Sequence, residues 1–505
     1  MIFRFSLCMC CLWLPMQLQS QTFPVLTSHK FFDNFGDDFP ARMIKTSDQH
    51  LLIGGHTIPK DSSKSACGNI WIIKVDTAGT LLWEREINMS GCEELRDLIE
   101  TEDGGIIFSG TTTSLIPYPE QGDERYWSNL LLGKIDSIGR IEWLQSYGGS
   151  NQDQGFRISP GPYRDYLICG LTHSNNGTIT YNHGLADAWA LKIDTQGEIR
   201  DSKTFGGTGN DWAVAVARCS NGDILLAGYS DSKDAFRQSI SPFGNGLLIR
   251  LGSHGKVRWM KPFVCPQGGQ FSAVEEVENG RIMVAGHCTS TDRVQRFWWL
   301  LLSAEGIVIQ ESMINGPQPG ILSSACSVSG GYLLAGYSDE PSGRPSRYTK
   351  GGEDFWLVKL DSQGRVLWKD TYGGPGDERC LDALEFSPGI FYAIGSKKNQ
   401  FTRDEEQDLD FWLIRVEERP TDAIEGSIWV RMENNKIFSR QPTRFSARVN
   451  HGDRFFWDFG DGTTSTDPYP LKSYDIPGLY DVTLTIYVNE HCSKTVSLPR
   501  ALEVW

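Results

Sequence analysis

The stretch Asp354–Gly374 reads DFWLVKLDSQGRVLWKDTYGG. An apolar run, Phe355 to Leu360, meets a four-residue turn, Asp361-Ser362-Gln363-Gly364. A second run then ends in Trp368, Tyr372, Gly373 and Gly374. Both runs are short and rich in β-branched and aromatic residues, and the turn closes on a glycine, which tolerates positive φ. The pattern predicts a β-hairpin.

The same turn recurs at Asp76–Gly79, Asp136–Gly139, Asp194–Gly197, Gly252–Gly255 and Ser303–Gly306, with final glycines 60, 58, 58, 51 and 58 residues apart. A second hairpin precedes each turn; its terminal glycine recurs at positions 55, 110, 170, 228, 286, 336 and 395. Each unit thus holds four short strands, a to d, and a fixed period marks a repeat architecture. Seven such units predict a seven-bladed β-propeller. The seventh unit supplies strand c (Phe411–Val416) and then runs into Pro420 with no strand d. A stray strand d stands at the other end, with Phe31 in the place of Trp368 and Phe35-Gly36 following. The N-terminal strand is therefore expected to close the last blade and remove two exposed sheet edges.

Strands c read as apolar on both faces, as expected of a sheet sandwiched between two others. Trp83, Trp143, Trp259 and Trp368 recur on strand d, where a large ring fills the widening space between blades. The glycine pairs 148-149, 206-207 and 373-374 allow a tight crossing, and Asp153, Asp211 and Asp377 are expected to cap it.

Strand parity puts the short a–b and c–d turns on one side and the b–c and d–a loops on the other. The b–c loops are long: 112–128, 173–186, 230–244, 338–353 and 397–409. Long loops on a rigid scaffold carry function disproportionately. Their aromatic and charged residues give the candidate ligand-binding set: Tyr118, Tyr126, Trp127, Tyr181, His183, Arg347 and Tyr348. A further ring follows the b-strand glycines: His56, Thr111, Leu171, Tyr229, His287, Tyr337 and Ser396. Its mixed chemistry argues against equivalent ligand sites.

Residues 1–20 have the form of a secretory signal peptide, with Arg4, an apolar run from Phe5 to Met16, and Ser20 before Gln21. No later apolar run is long enough for a membrane helix. A net charge of -15 speaks against a nucleic-acid partner. Nine cysteines follow residue 20. Cys67/Cys92 and Cys265/Cys288 are candidate pairs, Cys169 and Cys219 read as buried hydrophobes, and no CxxC spacing suggests zinc.

The hairpin Lys359–Trp368 resembles the repeat of quinoprotein-type (PQQ-like) propellers. The wider W-x3-Y-G-G pattern is similar to the long repeats of secreted bacterial surface proteins, over residues 30–418. That family holds its quinone against adjacent cysteines; the mature chain has none, so no quinone cofactor is expected. After a linker at 420–426, residues 427–505 change character. Phe456-Trp457-Asp458-Phe459-Gly460-Asp461-Gly462 and Gly478–Ile486 resemble a PKD domain, an immunoglobulin-like β-sandwich with Trp457 in its core. The resemblance implies a spacing, adhesive or carbohydrate-contacting role. Asp458 and Asp461 are candidate calcium ligands, or turn stabilisers.

No HExxH, GxSxG or sialidase motif occurs. The acidic run Asp404, Glu405, Glu406, Asp408 and Asp410 reads as a solvated loop. The expectation is an all-β, exported, non-enzymatic binding or adhesion protein whose partner is a glycan or a cell-surface protein. A polysaccharide hydrolase or lyase, or a scaffold of a surface assembly, is the alternative.

Overall fold

The computed structural model describes residues 22–59, 68–89, 91–113, 128–161, 164–236, 241–315, 320–338, 352–374, 376–398, 409–430, 437–449, 451–452, 454–488, 493–498 and 502–505. The hairpin expected over Asp354–Gly374 forms. Asp354–Asp361 pairs with Val366–Tyr372, and Gly364 takes φ 71°. The Asp361 carboxylate accepts the N–H groups of Gln363 and Arg365, each at 2.9 Å. Asp76, Asp136 and Asp194 repeat this bond, so the side chain closes its own turn.

Apart from short 3-10 turns, the regular elements among the described residues are strands. The chain divides into two compact units, Pro24–Glu418 and one built mainly of Arg419–Trp505. The first consists of repeated four-stranded antiparallel sheets, each in the order a, b, c, d. Their first strands are Gly36–Lys45, Glu93–Glu100, Asp153–Pro160, Asp211–Arg218, Gly269–Val277, Gly320–Val328 and Glu378–Ser387. Each a strand neighbours the next, and the last neighbours the first. The a strands therefore surround an axis and the sheets radiate from it as propeller blades.

The last sheet is completed by Thr22–Phe32, which pairs with Leu409–Pro420. Its register differs from the one the sequence suggests. Asn34 donates its backbone N–H to Asp38 (2.8 Å) as Gly374 does to Glu378 (2.7 Å). Phe32-Asp33-Asn34 thus stand where Tyr372-Gly373-Gly374 stand. Phe35 has φ 58° and is 87% exposed. Two nearby phenylalanines offered two alignments, and burial selects Phe32.

The cores lie between sheets. Leu333, Phe355 and Leu357 of one sheet pack with Ala393, Trp412 and Ile414 of the next. Met43, Leu51 and Trp71 meet Ile394, Phe411 and Leu413 across the closing seam. Burying side chains of this size stabilises by roughly 2–3 kcal/mol each. Strand d tryptophans reach the next sheet: Trp143 Nε1 donates to the Thr195 carbonyl (3.3 Å), and Trp368 meets Phe391 edge-on at 5.7 Å.

Every a strand carries a β-bulge at the same place, opposite the b-strand glycine. That explains the recurrent glycine. A Cβ on Gly228 would lie 2.0 Å from the Trp212 carbonyl oxygen, and one on Gly395 1.9 Å from that of Arg379.

Cys265 and Cys288 form a disulfide. Cys92 is also disulfide-bonded, whereas Cys67 lies outside the described residues. Cys169 and Cys219 are free and buried.

In the second unit, Gly426–Val430, Thr443–Val449 and Leu471–Lys472 form one sheet. Arg454–Asp458 lies in another with Thr464–Ser465, Thr483–Tyr487 and Ser493–Ser497. Trp457 is fully buried, 6.0 Å from the Phe445 ring. The Tyr474 hydroxyl donates to the Phe459 carbonyl (3.1 Å). Within 420–426, Thr421–Ala423 make a 3-10 turn and Ile424 is fully buried.

Candidate functional site

Beside the bulge, the a-strand residue before it pairs with the b-strand residue after the glycine, near the end of the sheet from which the b–c loops leave. Because a is innermost, these pairs ring the axial opening on the face of the long b–c loops. They are Phe39/His56, Glu94/Thr111, Gln154/Leu171, Trp212/Tyr229, Gln270/His287, Ile321/Tyr337 and Arg379/Ser396. Bulges commonly re-aim side chains beside functional sites.

Two pairs are stacked aromatics. Trp212 and Tyr229 lie 4.1 Å apart at an interplanar angle of 10°, and Phe39 and His56 lie 5.2 Å apart at 19°. The Tyr229 ring is backed by Gly244 of a b–c loop, where a Cβ would come within 2.1 Å. The Arg379 guanidinium sits 5.6 Å over the Tyr337 ring and pairs with Glu353. Burial pushes the His56 and His287 imidazoles down to about 4, so both are neutral at pH 7. Their Nδ1 atoms make no hydrogen bond. The ring therefore offers aromatic faces, neutral imidazoles and a cationic fork.

Below this ring, the residues after the bulge form a buried charge ladder. Arg42 bridges Asp97 (3.1 Å) and Asp382 (3.1 Å), and Arg157 reaches Asp97 at 3.4 Å. Asp97 and Asp382 also accept the N–H groups of Ile158 (2.7 Å) and Met43 (2.9 Å).

Of the loop candidates, Tyr118, Tyr126, Trp127, Arg347 and Tyr348 lie outside the described residues. Tyr181 is 60% exposed and meets His183 edge-on at 4.7 Å. His183 Nδ1 lies 2.6 Å from the buried Asp187 carboxylate. The pair is an exposed ring on an anchored histidine, at the rim of the face. Sequence reasoning missed Phe39, Trp212 and Arg379. The signal available was their constant offset before the b-strand glycine, visible only once the bulge is known.

Two further sequence readings change, those of Asp377 and Asp410, while the turn-stabilising alternative for Asp458 and Asp461 and the capping by Asp153 and Asp211 are as expected. The crossing into the last sheet is capped by Glu378, whereas Asp377 accepts the Glu353 N–H (3.2 Å). Asp153 and Asp211 cap theirs through Gly149 N–H (2.7 Å) and Gly207 N–H (2.9 Å). Asp410 is fully buried at the head of a strand rather than solvated, because strand c starts there. In the second unit Asp458 accepts the Gly460 N–H (2.9 Å). Asp461 accepts the Thr463 N–H (3.0 Å) and pairs with Lys472 (2.5 Å).

Residues 431–499 match the PKD domain family. No curated protein matches the chain. Similar solved structures include the WD40 domain of Neurospora crassa Pan2 (10% identity, 78% of this chain and 96% of that one, TM-score 0.44). Another is the PQQ-bound aldose sugar dehydrogenase of Streptomyces coelicolor (11%, 78% and 98%, TM-score 0.34). YCF48 bound to D1 peptide is a third (7%, 78% and 94%, TM-score 0.39). At such identities the likeness is one of fold alone. The chain is a β-propeller repeat protein with a PKD domain in its C-terminal part.

Proposed function

We propose that this chain is an exported, non-enzymatic binding protein. In this reading it is a seven-bladed propeller, closed by its N-terminal strand, that presents its long-loop face to a glycan. The PKD domain spaces or docks it at a cell surface. The observation that carries the reading is the pair of stacked aromatic platforms, Trp212/Tyr229 and Phe39/His56, in one register around the axial mouth. Flat aromatic faces suit the C–H face of a sugar ring, and the Arg379 fork suits hydroxyl or carboxylate oxygens. Tyr181 and His183 belong to the outer rim of the same site, and Tyr118, Tyr126, Trp127, Arg347 and Tyr348 are proposed as ligand contacts on sequence grounds. A calcium ion at Asp458 and Asp461 is compatible with this role.

A hydrolase would need two carboxyls facing one cavity. The carboxyls that burial raises to about 7, Asp38 and Asp354, are instead enclosed at sheet crossings. Two cavities of about 600 and 760 Å³ lie beside Arg218 and Met260 and contain neither.

The test is a glycan and polysaccharide array on residues 21–505, followed by titration of any hit against W212A, Y229A and R379A. The reading expects binding without turnover and a loss of about 30-fold in W212A, the size of a hot-spot contact. Undiminished affinity in all three variants would overturn the site. Product release would favour the hydrolase, and binding only to a protein would replace the glycan.

A further inference from the structure

At the crossings marked by Gly148, Gly206 and Gly373, the first residue of strand c and the first residue of the next strand a converge under the crossing backbone. A Cβ at Gly206 would meet Asp211 Oδ2 at 2.5 Å and Asp187 Oδ1 at 2.7 Å. One at Gly373 would meet Asp354 Oδ1 and Glu378 Oε2, and one at Gly148 would meet Asp153 and Asn129. Burying two like charges together is costly unless a counter-charge accompanies them. The chain shows how it meets that cost. Asn129 replaces one acid at the crossing with Asp153. His183 Nδ1 lies 2.6 Å from Asp187, and Lys397 Nζ lies 3.3 Å from Glu378.

The crossing that closes the ring departs from this pattern. Asp38 and Asp410 are both fully buried there. Asp33 stands at the position that Gly148, Gly206 and Gly373 occupy elsewhere, adding a third carboxylate. Among the described residues no lysine, arginine or histidine forms an ion pair with Asp33 or Asp38. One ligand oxygen from each of Asp33, Asp38 and Asp410 lies within 4.8 Å of the other two. Calcium binds oxygen at about 2.3–2.6 Å, so oxygens up to about 5 Å apart share one ion. Asp38 Oδ2 accepts the Asn34 N–H at 2.8 Å. Its Oδ1 and the hydroxyl of its cross-strand partner Thr57 are buried together, with no hydrogen bond to a third group among the described residues.

We propose that a divalent cation, calcium by the oxygen-only donor set, binds Asp33, Asp38 and Asp410 and clamps the ring at its closing seam. Asp33 directly follows the N-terminal strand Thr22–Phe32, Asp410 is the second residue of the strand that Thr22–Phe32 pairs with, and Asp38 is the third residue of the first strand of the next blade. The ion ties the two ends of the propeller together. Asp33 is exposed, leaving a path for the ion and its waters.

The test is calorimetric titration of EDTA-stripped residues 21–505 with calcium chloride, together with thermal melts. D33G restores the residue found at the other crossings and removes an exposed side chain, so it keeps the test meaningful if D38N or D410N fails to fold. D458N/D461N removes the competing PKD carboxylates. The proposal expects a rise in melting midpoint of about 5 °C at calcium 100-fold above Kd. It expects at least a tenfold loss of affinity in D33G and retention in D458N/D461N. Calcium binding unchanged in D33G, or neither heat nor a midpoint shift at about 10 mM calcium in the wild type, overturns it.

Discussion

Arg42 and Asp382 are 340 positions apart in the chain and 3.1 Å apart in the fold. The bond crosses the seam where the first blade meets the last, and the same guanidinium holds Asp97 of the second blade. Removing one partner of such a network leaves the others buried and uncompensated. R42A is expected to cost about 3–5 kcal/mol in urea unfolding. The exposed pair Arg164–Glu102, at 3.1 Å with both side chains about three-quarters exposed, is the control. R164A should cost less than about 1 kcal/mol. Equal effects would show that the ladder does not secure the seam.

The recurrent glycine gives a second prediction. G395A sets a Cβ 1.9 Å from the Arg379 carbonyl and 2.5 Å from Phe355 Cζ. Neither the strand nor the fully buried ring can yield freely, so the cost should be about 3 kcal/mol. Gly330 has φ 81° and open space around it. There alanine meets only the backbone penalty, about 1 kcal/mol. Urea midpoints of the two variants compare steric exclusion with conformational preference.

The Cys265–Cys288 disulfide ties a crossing to its neighbouring b strand over a separation of 23 residues. Loop closure of that length is worth about 3 kcal/mol in the unfolded chain. C265A/C288A should lower the urea midpoint accordingly. It should also lose the part of the wild-type sensitivity to reductant that this bridge carries.

Asp354 supplies a pH dependence of known sign. Burial, with Glu378 beside it, raises its carboxyl from 3.8 to about 7. Between these values the folded chain holds a proton that the unfolded chain has lost, so this contribution falls as pH rises from about 4 to 7. His287 works the other way. Burial lowers it from 6.5 to about 4, and its contribution is regained as pH rises across that window. The difference in melting temperature between wild type and D354N isolates the carboxyl: it should shift against the wild type as pH increases. A difference that is flat from pH 4 to 8 would refute the assignment.

Much of the fold was legible because its signals are local. Asp361 closes a turn four residues long, and strands such as Asn129–Ile135 are mostly apolar and buried throughout because both faces are covered. The mouth of the propeller was not legible. Phe39, Glu94, Gln154 and Trp212 share a structural position but no chemistry, so no repeat marks them. The bulge beside them is a property of two strands paired together. The N-terminal strand was placed in the right sheet but at the wrong phenylalanine, since Phe31, Phe32 and Phe35 differ only in what packs on them.

By itself the sequence determined the repeat, the hairpins with their Asp and Gly turn residues, the N-terminal strand as the missing fourth strand, and a Trp457-centred PKD module. Each depends on interactions a few residues apart or on hydrophobic period. Only the tertiary structure decided which residues share the axial mouth, how Arg42 spans three blades, and why Asp33, Asp38 and Asp410 meet. Those arrangements join strands hundreds of residues apart, and their geometry is set by ring closure, which no local pattern encodes.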